Sequence, residues 1–390
     1  MKTIKKLTTL TVIALFAFVL FSCEKDNGGK KNENENNDEL YRSILSKYVS
    51  STVVPTYKAL AEGALKMRTA NVALKANLND ANVKAASDAW MEARIAWELS
   101  EAFLFGPVGE HALDIDGHID SWPLELAAIE KTLAEEGLGL TGREAWKIDA
   151  EVIGFHVTEY LLYRDGKERS AADITQAELN YLTAATDALV WDCVLAYVAW
   201  VGESNVSTEM KTVFNENPDV VAHLNANPNF MNFSQRLTSA TGYSSWKDAL
   251  SEIMVGAAEI AGEVGATKIE APYREKKTEN VESWYSWHSL DDYTNNILSI
   301  QNAYLGGMDD GSRTSSESLS AYIKSIDADM DTKIQDKIKD SLSKIFSIGK
   351  GGLSFYEVVR DQVNKAEVDA AVIACIELQT LFDGLVDVIE

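Results

Sequence analysis

His156 and Glu159 stand three residues apart in the stretch GFHVTEYLLY, residues 154–163. On a helix this spacing puts an imidazole and a carboxylate on one face. Nitrogen together with carboxylate oxygen suits iron, zinc or manganese. Two ligands do not complete a site, and the zincin pattern H-E-x-x-H is absent from the sequence. Taken alone, the pair fits a buried histidine donating to a satisfied glutamate better than a metal centre. Gly154 adds a constraint, because glycine inside a helix costs about 1 kcal/mol and is kept where a backbone or a ligand must come close.

A second stretch, WMEARIAWELSEAFLFG, steps through Trp90, Arg94, Trp97, Glu101 and Leu104 and so sets them on one helical face. A charge on an indole-rich, buried face must be paired or bound. Either Arg94 and Glu101 close a buried network, or Glu101 ligates a metal while Arg94 orients carboxylates from behind. Beyond Gly106-Pro107 comes GEHALDIDGHIDSWP, dense in Asp114, Asp116, His118 and Asp120. The order of an EF-hand loop and its closing glutamate are not met there. The segment reads as a polar loop pinned by Trp122-Pro123, with Asp120 the acid held inward. His111, His118 and His223 read as surface or loop residues.

The elements that must position these groups are helical. The chain has six prolines, and its apolar residues recur with period 3.6. Leu319, Ile323, Ile326, Met330, Ile334, Ile338, Leu342 and Ile345 predict one long amphipathic helix. Val368, Val372, Cys375, Leu378, Phe382 and Leu385 predict its antiparallel partner across GKGGLS, residues 349–354. Thr175 with Glu178 forms a capping box opening another helix. Further helices are expected near 41–68, 81–105, 146–163, 235–265 and 284–305, and no strand. The Asn- and Pro-containing stretch from Gly202 to about Asn232 breaks the period. The expected fold is all-α, with helical bundles over 40–203 and 235–390, a connection over 204–234 and a cleft between the bundles.

The first 22 residues carry Lys2, Lys5 and Lys6 ahead of an apolar run ending in Leu20-Phe21-Ser22-Cys23, a secretory leader with a lipobox. The run from Leu10 to Phe21 is shorter than the roughly 20 residues of a membrane span. Cys23 is then the lipidated first residue of the mature chain, anchored to a bacterial membrane. Residues 24–39 lack the apolar side chains to offset ordering and read as the end of a flexible tether over 23–39. The net charge is −24, or −27 without the three lysines of the leader. Nucleic acid and anionic lipid are excluded as partners by that sign. Cys193 and Cys375 lie in apolar helical patterns and read as buried thiols, with a bridge between them left open.

G-x-H-x-x-E at Gly154, His156 and Glu159 is similar to the motif of the imelysin-like proteins. AWMEARIAWELSEAFLFGP, IDSWP and VESWYSWHSLDDYTNNILSIQNAYLGG extend the resemblance, in order, over nearly the whole mature chain. The resemblance implies an extracytoplasmic, all-α protein of two helical bundles, often a lipoprotein, associated with iron uptake or iron-regulated expression. The family is also catalogued as metallopeptidases. By the same resemblance Glu101 and Asp120 join His156 and Glu159 as metal ligands, with Glu282 and Ser283 approaching from the second bundle and Asp292 and Asn296 beside them. Three functions follow as expectations. The first is binding of a metal ion, iron before zinc or manganese, alongside other iron-uptake components. The second is a metallopeptidase at the same site, and the third an adaptor whose cleft, walled by Trp284, Tyr285 and Trp287, takes a small ligand or a peptide.

Overall fold

The computed structural model describes residues 33–109, 112–135, 139–313 and 316–389. The leader, Cys23 and His111 lie outside the described residues. The principal helices are α1 (Glu33–Tyr48), α2 (Val54–Ala76), α3 (Asp80–Glu98), α4 (Ile115–Asp120), α5 (Gly154–Leu162), α6 (Gln176–Val201), α7 (Trp246–Glu263), α8 (Ser289–Leu305), α9 (Leu319–Ile326), α10 (Ala328–Ile348) and α11 (Lys365–Val388). The fold is all-α, as the apolar period predicts. Among the described residues its one departure is a ribbon pairing Tyr163 with Glu168 and Arg164 with Lys167. Asp165 and Gly166, both at positive φ, close that hairpin.

In the N-terminal half α2, α3 and α6 pack together, and α5 closes against α3 and α6. α6 is opened by the Thr175–Glu178 capping box. It is long and apolar enough to cross a membrane, yet it is buried among its neighbours as a core helix. In the C-terminal half α7, α10 and α11 pack with α8. The pairs Lys337–Glu377 at 2.6 Å and Lys350–Glu367 at 2.9 Å run in opposite chain directions, so α10 and α11 are antiparallel. Cys193 and Cys375 are both free and buried.

Several boundaries differ from the sequence reading. Helix α1 starts at Glu33, inside the stretch expected as tether, because Tyr41, Ile44, Leu45 and Tyr48 dock and the helix propagates back from them. α1 packs on α7, and Tyr41 Oη meets Tyr322 Oη at 2.8 Å, so it lies against the C-terminal half. The expected long helix is broken at Asp327, whose extended backbone and side chain, accepting from Met330 N, cap α10. The connection 204–234 carries short helices, Thr208–Phe214, Pro218–Ala226 and Phe233–Leu237, that pack on α6. The two halves share one continuous apolar core.

Two glycines set the approach of elements that carry the site. Gly256 on α7 faces the Glu101–Phe103 turn, where an added Cβ would lie 2.3 Å from Ala102 O. Gly154 is not inside a helix but opens α5 at φ +83°. A Cβ there would meet Ile119 O at 2.5 Å, so the close approach the sequence suggested is to the backbone of α4. Left-handed backbone and steric overlap act together at this position. Gly154→Ala is expected to lower unfolding stability by about 2–4 kcal/mol, read as a drop in urea midpoint at unchanged slope.

Candidate functional site

Arg94 is fully buried on α3, and the site is organised around its guanidinium. Nη1 donates to Asp120 Oδ1. Nη2 reaches Glu98 Oε1 at 2.5 Å, Glu282 Oε1 at 2.9 Å and Asp292 Oδ2 at 3.5 Å. Trp97, one turn on, donates from Nε1 to Asp120 Oδ2 at 2.7 Å. Burying a guanidinium unpaired would cost several kcal/mol, so these carboxylates are conditions of folding as much as of function. Their charges outweigh burial and hold Arg94 firmly protonated.

His156 sits on α5 with no exposure, its ring 4.7 Å from the Trp122 ring. Nδ1 is 3.1 Å from Glu159 Oε2. The other oxygen of Glu159 accepts from Ser286 N at 2.8 Å and Ser286 Oγ at 2.7 Å. Glu159 therefore stands behind the imidazole and fixes its orientation, leaving Nε2 to face inward. Nε2 lies 3.1 Å from Asp120 Oδ1 and 3.9 Å from Glu282 Oε1, yet makes no well-aligned hydrogen bond. Burial and Arg94 oppose a proton on this ring, but Asp120 and Glu159 outweigh them and raise it to about 9. Asp120 is itself pulled below the usual carboxylate range: burial works the other way, and Arg94 and His156 overcome it.

The C-terminal half supplies the rest. Glu282 is held by Ser289 Oγ, which donates to its carbonyl at 2.5 Å. Ser283, at φ +49°, donates from Oγ to Asp292 Oδ2 at 2.5 Å. Burial raises Asp292 to about 6 against the pull of Arg94. Asn296 donates to Glu98 Oε2 at 2.5 Å and accepts from Lys268 Nζ at 3.3 Å. Lys268 Nζ also lies 3.3 Å from Glu282 Oε2. Glu101, Asp120, Trp122, Lys268 and Glu282 line a cavity of about 440 Å³ at this seam.

The structure brings Arg94, Asp120, Trp122, His156, Glu159, Glu282, Ser283, Asp292 and Asn296 into one region. The ligand atoms of Asp120, His156 and Glu282 lie within 4.8 Å of one another. Glu101 groups with Glu98 and Asp120, not with His156, although it lines the same cavity. α3 ends at Glu98 and Glu101 begins a 3-10 turn, so the helical stepping does not carry that far. Glu98, four residues from Arg94, is the acid the stepping should have named. Glu159 faces the back of the ring and is in neither group. Lys268 and Ser286 carried no signal in the sequence. The rings expected as an aromatic wall are engaged within the fold, Trp284 and Trp287 both stacking on Tyr356 at 5.4 and 5.8 Å. His118 is half-buried, with Nδ1 3.3 Å from Asp192, and His223 Nε2 meets Leu113 O at 3.1 Å.

In the metal-free protein His156 stabilises the fold through its proton. That contribution is complete below the ordinary value of 6.5 and is lost as pH rises through about 9. Urea unfolding at a series of pH values should show stability falling by up to about 3 kcal/mol across that window. The decline should be absent from His156→Gln.

The family model of imelysin, peptidase M75, matches residues 53–382. An iron-regulated protein A from Synechococcus elongatus is 25% identical over 264 residues, 68% of this chain and 64% of that protein, so the match spans less than two thirds of the relative. A crystal structure of a proposed iron-regulated protein A precursor from Parabacteroides distasonis has 26% identity and a TM-score of 0.75, covering 93% of this chain and 97% of that one. An imelysin-like protein from Psychrobacter arcticum shares the fold, at 13% identity and a TM-score of 0.58 over 88% of this chain and 93% of its own. The match to the family model, which takes in the seam and every residue gathered there, makes the chain a member of the imelysin family.

Proposed function

We propose that this chain captures one metal ion, iron, at His156, Asp120 and Glu282, and that it does so outside the cytoplasm as a lipid-anchored component of iron uptake. The observation that carries the reading is that His156 Nε2 and one oxygen each of Asp120 and Glu282 lie within 4.8 Å of one another in one buried place, with hydrogen bonding there incomplete. His156 Nε2 takes no hydrogen bond, and neither does Glu282 Oε2, although Lys268 lies beside it. A buried polar atom without an aligned hydrogen bond is costly, and His156 Nε2 faces Asp120 Oδ1 at 3.1 Å and Glu282 Oε1 at 3.9 Å, close enough for the three to share a cation. One imidazole and two carboxylates form a donor set suited to iron. Glu159 supports the ligand role of His156 by accepting from its far nitrogen, an arrangement common behind metal-bound histidines. The relatives named for iron regulation support the choice of ion.

The charge balance supports the same reading. Six buried or nearly buried carboxylates, Glu98, Glu101, Asp120, Glu159, Glu282 and Asp292, gather in a region that holds two side-chain cations, Arg94 and Lys268, besides His156. Part of the surplus is met by protons: burial drives Glu98 and Glu101 well above the usual carboxylate range. A metal ion entering the site would displace the proton of His156, so capture is coupled to proton release. In this reading the leader and a lipidated Cys23 would anchor the protein to a membrane, where its acidic surface would gather cations.

Protein purified without chelator and loaded with iron should retain one equivalent by elemental analysis. His156→Ala should lose it, and Glu159→Gln should weaken it about 10- to 100-fold. Affinity should rise close to tenfold per pH unit below about 9, the value of His156. Absence of stoichiometric metal after loading with iron or zinc would remove this reading in favour of the adaptor. Cleavage of a peptide library that depends on metal and vanishes in His156→Ala would replace it with the peptidase. Cys23→Ala should move the protein from the membrane to the soluble fraction on cell fractionation.

A further inference from the structure

The chain stays helical beyond the end of α7: it widens into the π-helical turn Val264–Glu270 and runs on as the short helix Ala271–Glu275. Widened turns of this kind recur at functional sites. Glu263, Thr267, Ala271 and Glu275 recur every four residues along this continuation, a spacing that keeps them on one face, and all four line the cavity of about 440 Å³ at the seam. Glu263, Thr267 and Glu275 are exposed and Ala271 is half-buried, so this stripe forms the solvent end of the cavity. Asp116 and Trp122 contribute further lining, and so do Asp120 and Glu282, whose side chains are 6% and 7% exposed. The cavity therefore runs from open surface to two of the three ligands proposed for the metal.

At the floor Arg94 already answers the charge of Asp120 and Glu282. The surplus of acid lies nearer the mouth, with Asp116, Glu263 and Glu275. Glu263 Oε1 is 3.8 Å from Lys268 Nζ and Glu275 Oε2 is 3.0 Å from Lys277 Nζ, and both glutamates are 49% exposed. Pairs so exposed are weak, and their acids stay available to a passing ion. A cleft lined mainly by one sign of charge concentrates the opposite ion and speeds its arrival. Two buried nitrogens at the inner end lack an aligned hydrogen bond, His156 Nε2 and Trp122 Nε1, and the two rings lie 4.7 Å apart. An ion with six waters fills about 180 Å³ at roughly 30 Å³ per water, so a cavity of this size takes it without prior dehydration.

We infer that this cavity is the route by which metal reaches the His156 group, and that it admits the ion hydrated and positively charged while turning anionic chelates away. The inference rests on the metal-binding reading of that group. Acids at the mouth draw the cation in, and its waters leave at the floor as Asp120, Glu282 and His156 take their places. A chelate whose own oxygens surround the metal brings negative charge against the same walls and leaves the floor ligands no open position.

The full mature protein, freed of metal, is mixed with ferrous iron without oxygen in a stopped-flow instrument, and quenching of tryptophan fluorescence follows the arrival of the ion. Elemental analysis gives iron per chain at equilibrium. Thr267→Phe with Ala271→Phe narrows the route, so association and dissociation should both slow about 10-fold while Kd and the single equivalent are kept. Glu263→Gln with Glu275→Gln should slow association about 10-fold at low salt, with the difference shrinking as salt is raised. Iron presented as its anionic nitrilotriacetate complex should load only through the free ion: excess nitrilotriacetate should suppress the rate, and native mass spectrometry should find none retained. Wild type taking no ion overturns the metal-binding reading and this inference with it. Wild type that loads while the folded phenylalanine variant, or the glutamine variant at low salt, loads at the same rate overturns the route alone. Nitrilotriacetate retained with the iron overturns the exclusion of chelates. Circular dichroism establishes folding, and the glutamine variant, altered only at half-exposed side chains, decides the route should the phenylalanine variant unfold.

Discussion

A single guanidinium placed where water cannot reach it decides much of this structure. Arg94 cannot be neutralised, and its burial is tolerable only with acids on several sides. Those acids come from separate parts of the chain: Glu98 from its own helix, Asp120 from the end of α4, Glu282 and Asp292 from the C-terminal half. Each pairing fixes the distance between two segments. The seam between the halves is therefore set by electrostatics at its centre and by apolar packing around it. Gathering so many carboxylates about one arginine also overshoots its charge, and the excess makes the region receptive to further cations and protons.

The residues that local helical spacing relates were legible in the sequence. His156 and Glu159 share a face, and Arg94 and Trp97 face inward together. Asp120 was legible too, because Trp122-Pro123 anchors the chain just beyond it, although the segment expected as a loop is the short helix α4. Glu101 groups apart from His156 because helix geometry stops before it: three residues past Glu98 the backbone has tightened to a 3-10 turn. Lys268 was invisible because its π turn breaks the 3.6 period on which such reading depends. Glu282, Ser283, Asp292 and Asn296 lie far along the chain from His156. Only the family resemblance, not any spacing, linked them to it.

The fold was legible to a similar depth. Apolar period alone indicates an all-α chain, and the Thr175 capping box marks the start of a long, largely buried helix. Where two helices meet in space is another matter, since period says that a face is buried and not by what. α1 shows this, for its apolar face is plain but its partner α7 begins at Trp246. Asp327 shows the converse: an unbroken apolar stripe concealed a polar side chain that prefers to cap the backbone of the next helix.

The seating of α1 also bears on how force passes through the molecule. Its buried face packs on α7, and Tyr41 and Tyr322 tie it to α9. A pull on the N-terminal end is therefore taken up first by helices encoded 200 residues and more downstream. The mechanical order of the chain is not its covalent order. Truncation at Tyr48 would not trim a tail: it would strip a covering helix from the C-terminal half and expose α7 to solvent.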